Sequence, residues 1–322
     1  MTSGRDRGHA STTSRAPCAV ELSDLTKWFG AVQAVDSVSA AALPGQVTAL
    51  LGPNGAGKTT ILRMLLGLAA PSSGTATFGG QRYDELTDPV RRVGAVLEAS
   101  GWHPGRTARD HLRILATASQ LPTDAPSQVL AATGLADAAR RRVGEFSLGM
   151  RQRLGLAAAM LGDPDVLVLD EPTNGLDPPG MKWLREHLRR LADEGRTVLV
   201  SSHALGEVEQ IADHVLVLAH GQLLRSAGLT ELRAEAGVGS RVRTPQSDRL
   251  VDALEAAGHG CSAVDDDLVV DAAPEQVGEL AARHGLVLHR LMPTIDLEHV
   301  FFRLIGESDQ APWSAPAERT PS

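Results

Sequence analysis

The 322-residue chain is poor in aromatic side chains, with four Trp, five Phe and one Tyr, 3% of the total. Proteins that hold single-stranded nucleic acid stack its bases on such rings, so their scarcity argues against that class. A basic excess is missing as well. The chain carries 31 Lys and Arg against 39 Asp and Glu, a formal net charge of −8. A nucleic-acid binder usually presents a basic face, so no nucleic-acid partner is expected. Cysteine is nearly absent, with Cys18 and Cys261 alone. That excludes a disulfide-framed miniprotein and fits a reducing compartment. Long hydrophobic runs are absent too. The stretch Leu154 to Gly162 stops at Asp163 and Pro164, well short of the ~20 apolar residues of a spanning helix. Residues 1–17 are rich in Ser, Thr and Arg and lack the apolar segment of a secretory signal. They read as a disordered tail.

What is present reads as an α/β protein. Hydrophobic residues make up 43% and charged residues 22%, a balance that suits a folded core. Residues 18–235 alternate short apolar runs with helix-length segments. The runs Val47–Leu51, Val166–Leu169, Thr197–Val200 and His214–Leu218 look like strands buried on both faces of a sheet. Helix is expected over Lys58–Leu66 and over most of 107–161. Residues 239–306 read as a smaller α+β unit. Its strands are expected at 240–244, 261–264, 268–271 and 286–291, its helices at 248–257, 274–284 and 297–305. That order is the βαββαβ of a ferredoxin-like unit. A tail, 307–322, is expected to be disordered.

The strongest chemical signal is Gly52-Pro53-Asn54-Gly55-Ala56-Gly57-Lys58-Thr59, followed by Thr60. It fits GxxxxGK[ST] between an expected strand and an expected helix, the context that pattern requires. Glycines there let backbone N–H groups converge on phosphate oxygens, and the helix N-terminus adds positive partial charge. Lys58 can reach the β- and γ-phosphates of a nucleotide, and Thr59 can offer a hydroxyl to Mg²⁺. The second signal is Val166–Leu169 followed by Asp170 and Glu171. A carboxylate ending a buried strand can hold the magnesium shell, and the next can orient an attacking water. Ser147-Leu148-Gly149-Met150 heads an expected helix that Ser147 can cap. Asn174-Gly175-Leu176-Asp177 follows the carboxylate pair, and His203 follows the next strand. Each of these pieces is weak alone; their order and spacing carry the weight.

In that order the chain resembles the ATP-binding cassette (ABC) ATPase family over about residues 18–230. The resemblance implies a P-loop cassette with a RecA-like core, an antiparallel β subdomain and a helical subdomain. Gly52 to Thr60 resembles the Walker A loop, Asp170 and Glu171 the end of Walker B with its catalytic Glu, and Ser147 with Gly149 the signature sequence. Residues 174–177 resemble the D-loop and His203 the switch histidine. Leu25 to Gly30 is similar to the adenine-stacking A-loop, with Phe29 at the aromatic position and Trp28 as a rival stacker. Three departures stand out. Glu98 occupies the place of the family's Q-loop Gln and can still ligate Mg²⁺. Phe146, Leu148 and Met150 replace three of the five signature residues. Phe stands where the A-loop usually has Tyr.

The Leu-Glu pair at 97–98, His103 to Ala108, the Ser-Leu-Gly-Met signature and Pro293 to Phe301 together look like the ATPase subunits of ABC-2 type drug and bacteriocin exporters. That group implies ATP and Mg²⁺ as cofactors and a homodimer with two shared ATP sites. It also implies a separate integral-membrane permease, docked around residues 98–113, and a place at the cytoplasmic face of the membrane. The expected activity is ATP hydrolysis driving efflux of an antibiotic or other small hydrophobic compound. The alternatives are a non-transport ABC ATPase, or export of a lipid or peptide.

Overall fold

The computed structural model describes residues 17–97, 102–235, 239–264, 266–294 and 301. By internal contacts the chain divides into two compact units. One holds residues up to Thr48 together with Thr59–Ser201, the other Ala49–Lys58 together with the residues from Ser202 onward.

The first unit opens with β1 (Val20–Phe29) and β2 (Val32–Ala42), followed by the start of β3 (Val47–Leu51). Strand β1 pairs antiparallel with β2, Val20 opposite Ala42. After α1 (Lys58–Leu65), β4 (Ser73–Phe78) pairs with the other edge of β1, Val20 opposite Phe78. The sheet order is β2-β1-β4. Leu22, Leu25, Val35, Val38 and Phe78 are buried, and β1 alternates inward and outward at its start, as a half-buried strand does.

A parallel sheet follows. After the single turn α2 (Pro89–Arg92) comes β5 (Val93–Val96). Three helices, α3 (Ala108–Ala118), α4 (Ala125–Ala132) and α5 (Leu148–Ala159), come next. They share an apolar cluster with Leu112, Leu130, Phe146, Leu154 and Leu161 at its centre. Then come β6 (Val166–Leu169), α6 (Pro178–Asp193) and β7 (Thr197–Ser202). Strand β6 pairs in parallel with β5 and β7. All four residues of β6 are buried, as expected for a strand covered on both faces. Strand β7 runs two residues past the expected Thr197–Val200, because Ser201 and Ser202 are buried and stay in the ladder.

The second unit holds the rest of β3, then α7 (Leu205–Ile211), β8 (His214–Ala219), β9 (Gln222–Gly228) and α8 (Leu229–Glu235). Strands β8 and β9 pair antiparallel. A four-stranded antiparallel sheet follows, from β10 (Gly239–Arg243), α9 (Ser247–Ala256), β11 (Cys261–Val264), β12 (Asp267–Val270), α10 (Pro274–Arg283) and β13 (Arg290–Thr294). Its order is β11-β12-β10-β13, so the first and third strands of the βαββαβ sequence are central, as in a ferredoxin-like unit. Val242, Leu250, Leu254, Leu268, Val270, Val277 and Leu280 pack beneath it.

The last strand begins four residues later than the sequence implied. Residue 287 is held by side chains instead: Val287 N–H donates to Gln246 Oε1 at 3.0 Å, and Thr244 Oγ1 donates to Val287 O at 2.7 Å. Ladder pairing to β10 starts only at Arg290. Most of the expected closing helix 297–305 lies outside the described residues, as do the two tails apart from Pro17. Among the described residues no helix is long and apolar enough to cross a membrane.

Candidate functional site

Strand β3 delivers Gly52, where a side chain is not accommodated: a Cβ there would lie 2.3 Å from Leu218 O. The loop 53–57 then turns so that Ala56 N–H donates to Pro53 O at 3.2 Å. Lys58 is buried, and its Nζ donates to Gly52 O at 2.7 Å and to Pro53 O at 3.2 Å. The loop thus folds around the ammonium and holds it at the mouth of α1. A buried cation at the start of a helix is a place for an anion. Thr60 follows Thr59 in the first turn of α1.

Asp170 stands just past β6, its N–H donating to Val96 O at 2.8 Å. Its two carboxylate oxygens have separate donors. Thr59 Oγ1 donates to Oδ2 at 2.7 Å, and Ser201 Oγ donates to Oδ1. Ser201 also accepts from Glu171 N–H at 2.9 Å. The fully buried Ser201 therefore fixes both carboxylate residues at once. Glu171 has φ +47°, a left-handed conformation that a non-glycine residue adopts at a cost. It follows directly on the flat strand, so the chain must swing there, and Asn174 N–H closes the turn on Glu171 O at 3.2 Å.

Ser201 is the functional candidate that sequence reasoning passed over in favour of His203. The signal was there. Leu169 is in register with Val200, so the next pair along the two parallel strands is Asp170 with Ser201. His203 is exposed at the bend before α7, whose approach is held by Ser202 Oγ donating to Glu207 Oε2 at 3.0 Å.

The signature segment forms a helix start as expected. Ser147 Oγ accepts from Met150 N–H at 3.3 Å and caps α5. Ser147 and Leu148 are exposed. Leu148 lies over Gly175, where an added Cβ would come within 2.0 Å of Leu148 Cδ2. Gln152 Nε2 donates to Asn174 O at 3.1 Å, and Leu176 Cδ2 would lie 3.4 Å from a Cβ on Gly149. Asp177 then caps α6, accepting from Gly180 N–H at 3.0 Å. Beneath these segments His187 is buried, 3.0 Å from Met160 Sδ and stacked on Trp183. Burial, helped by the nearby Arg190 charge, pushes its pKa down to about 4.

Phe29 ends β1 with its ring 54% exposed and the Lys27 ammonium 4.9 Å from the ring centre. An exposed flat ring of this kind can stack on a base. Trp28, the rival, is half-buried, and its backbone N–H donates to Ser72 Oγ at 3.0 Å. Glu98 lies outside the described residues.

Comparison with known proteins agrees with this geometry. Residues 35–174 match the family model described as ABC transporter, and residues 239–296 match a domain of unknown function, DUF8746. The bacitracin transport ATP-binding protein BcrA of Bacillus licheniformis is 42% identical over 217 residues, 66% of this chain and 71% of the relative. The chain belongs to the ABC transporter ATP-binding family. The Nod factor export ATP-binding protein I of Burkholderia orbicola (strain AU 1054) is 35% identical to this ABC ATP-binding subunit, with 90% of this chain and 98% of the relative covered. A solved ATP-binding subunit of an ABC transporter superposes with a TM-score of 0.61 at 26% identity, covering 67% of this chain and 92% of its own.

The residues present fit ATP with Mg²⁺. Among the described residues no three His, Cys, Asp or Glu side chains gather as a protein-built metal cage. The candidate donors are Thr59 Oγ1 and Asp170 Oδ2, one hydroxyl and one carboxylate oxygen that already meet. So sparse a set of hard oxygens suits Mg²⁺, which keeps waters and takes its remaining ligands from substrate phosphates.

Proposed function

We propose that this ABC transporter ATP-binding protein hydrolyses ATP to drive efflux of an antibiotic or similar small hydrophobic compound through a separate ABC-2 type permease. The observation that carries the reading is the carboxylate of Asp170, held between Thr59 and Ser201, with Glu171 turned out of the strand beside it. In this reading Lys58 and the backbone N–H groups of residues 55–60 bind the β- and γ-phosphates, and Phe29 stacks on the adenine. Thr59 and Asp170 would hold Mg²⁺, with Glu98 as a further ligand; the bound ion neutralises charge on the phosphates. Glu171 orients the attacking water and takes its proton, and His203 contacts the γ-phosphate.

Ser147 and Gly149 would serve the nucleotide of a second copy of this chain. Ser147 is exposed and Gly149 half-buried at the head of α5, which supports that assignment. Two copies then close on two ATP molecules, hydrolysis removes the contacts that hold them closed, and the permease follows the change. The names of the relatives, bacitracin transport and Nod factor export, support export. The alternatives are export of a lipid or peptide, or a non-transport ABC ATPase. We further read residues 18–235 as the nucleotide-binding domain and residue 239 as the start of a separate small domain. A peripheral place on the cytoplasmic membrane face follows from the permease.

The test is the solution mass of Glu171→Gln with and without Mg-ATP. Losing the carboxylate is expected to block hydrolysis and trap a dimer in ATP. A persistent monomer with ATP bound would overturn the self-sufficient dimer.

A further inference from the structure

We propose that an arginine ridge on the three-helix part of the first unit binds anionic lipid headgroups directly. The chain is acidic as a whole, yet residues 103–113 and 140–142 hold six arginines and one acidic residue, Asp110. The two stretches are far apart in sequence and lie side by side. Ala108 N–H donates to Arg141 O at 3.2 Å, Arg109 N–H to Ala139 O at 2.9 Å, and Val143 N–H to Arg106 O at 2.9 Å. Thr107 pairs with Arg142 across the same seam. Arg106, Arg113, Arg140, Arg141 and Arg142 are exposed.

Little of this charge is neutralised. Arg113 faces Asp110 at 3.7 Å, and Arg141 faces Glu145 at 3.9 Å; such exposed pairs are weak. Arg106, Arg109, Arg140 and Arg142 make no ion pair among the described residues. His111, on the same helix, senses the field: burial first, then the Arg106 charge, lowers its pKa.

The apolar content of the ridge decides between partners. A protein partner is usually anchored by a few large apolar or aromatic side chains in fitted pockets. Among the described residues, the exposed large hydrophobic that adjoins the ridge in sequence is Ile114. Dense cationic charge without anchors suits a plane of phosphates. Clusters of four to eight Lys or Arg bind anionic bilayers, each near-surface cation raising the partition roughly fivefold. The inference rests on the membrane-peripheral reading above; Arg106, Arg109 and Arg113 fall in the segment expected to dock the permease, whereas Arg140, Arg141 and Arg142 lie outside it.

The experiment is co-sedimentation of the full chain, without nucleotide, with vesicles of phosphatidylcholine alone or of phosphatidylcholine with phosphatidylglycerol. The chain is expected to sediment with the anionic vesicles, to stay in solution with the neutral ones, and to be released at ~1 M salt. Arg140→Glu with Arg142→Glu is expected to lower anionic partition by at least about tenfold. Arg283→Glu, on α10, should leave it unchanged. ATP hydrolysis in solution, measured in the same preparations, should not move in either variant. Equal partition onto both vesicles, or anionic binding untouched by the double variant, overturns the proposal. So does absence of vesicle binding together with loss of permease co-purification in the double variant, which assigns the ridge to an acidic protein surface. Failure of the transporter reading shows separately, as a natural chain that hydrolyses no ATP.

Discussion

Two carboxylates invite comparison. Asp170 ends β6 in the first unit and Asp267 begins β12 in the second. Each is held by side chains from other strands or helices. Asp170 accepts from two hydroxyls, Thr59 and Ser201. Asp267 accepts from three guanidinium groups, Arg241 at 2.8 Å, Arg243 at 2.5 Å and Arg290 at 3.4 Å, with its side chain 1% exposed. The Arg243 hydrogen bond, with Arg241 behind it, holds the Asp267 carboxyl below the usual carboxylate range. Hydroxyls orient a carboxylate without cancelling its charge, so it can still recruit a cation. Guanidinium groups cancel the charge and leave a strand clamp. The partners, more than the carboxylate, separate a working group from a structural one.

Substitution can break this contrast. Asp170→Asn is expected to lower ATP hydrolysis at least about 100-fold, in the range for loss of a positioned catalytic charge, with melting temperature little changed. A steady-state phosphate-release assay on a folded variant checks it. Ser201→Ala removes a donor to Asp170 and strands the Glu171 N–H. It is expected to destabilise the protein by about 1–3 kcal/mol and to slow hydrolysis about tenfold as the two carboxylates lose their alignment. Denaturant melts and the same assay separate these effects.

Asp267→Asn should do the reverse of Asp170→Asn, leaving hydrolysis intact while thermal denaturation comes several degrees lower. If it abolishes hydrolysis, the division between the two carboxylates fails. The last effect shows only in acid. His187 titrates near 4 when folded against 6.5 in the unfolded chain, so the unfolded state binds the extra proton. Stability should then be full above pH 6.5 and fall as pH drops from 6.5 toward 4, by roughly 3 kcal/mol at most. Denaturant titrations over that range should flatten in His187→Phe.

Legibility followed from where the chemistry is local. The run 52–60 carries its own strand, turn and helix, so Lys58 and Thr59 could be placed from spacing alone. Val166–Leu169 announced a doubly covered strand by being wholly apolar, and Asp170 and Glu171 by breaking it. Ser201 was hidden because its part depends on the register of β7 against β6, a pairing between segments 30 residues apart that no single window displays. The late start of β13 was hidden similarly. Residues 286–291 look like a strand, but the side chains of Thr244 and Gln246, far back along the chain, take the backbone of residue 287 first. Asp267 falls between the strands expected at 261–264 and 268–271, and only the sheet brings three arginines onto it.

The nested pair Leu148 and Gly175 has a consequence for how such chains can vary. A side chain at position 175 meets the exposed leucine above it, which would have to swing aside. Leu148→Ala removes that contact but leaves the left-handed backbone of Gly175, φ +74°, so Gly175→Ala stays costly in either background. A change in one of these loops is therefore felt in the other, although 26 residues separate Leu148 from Gly175 along the chain.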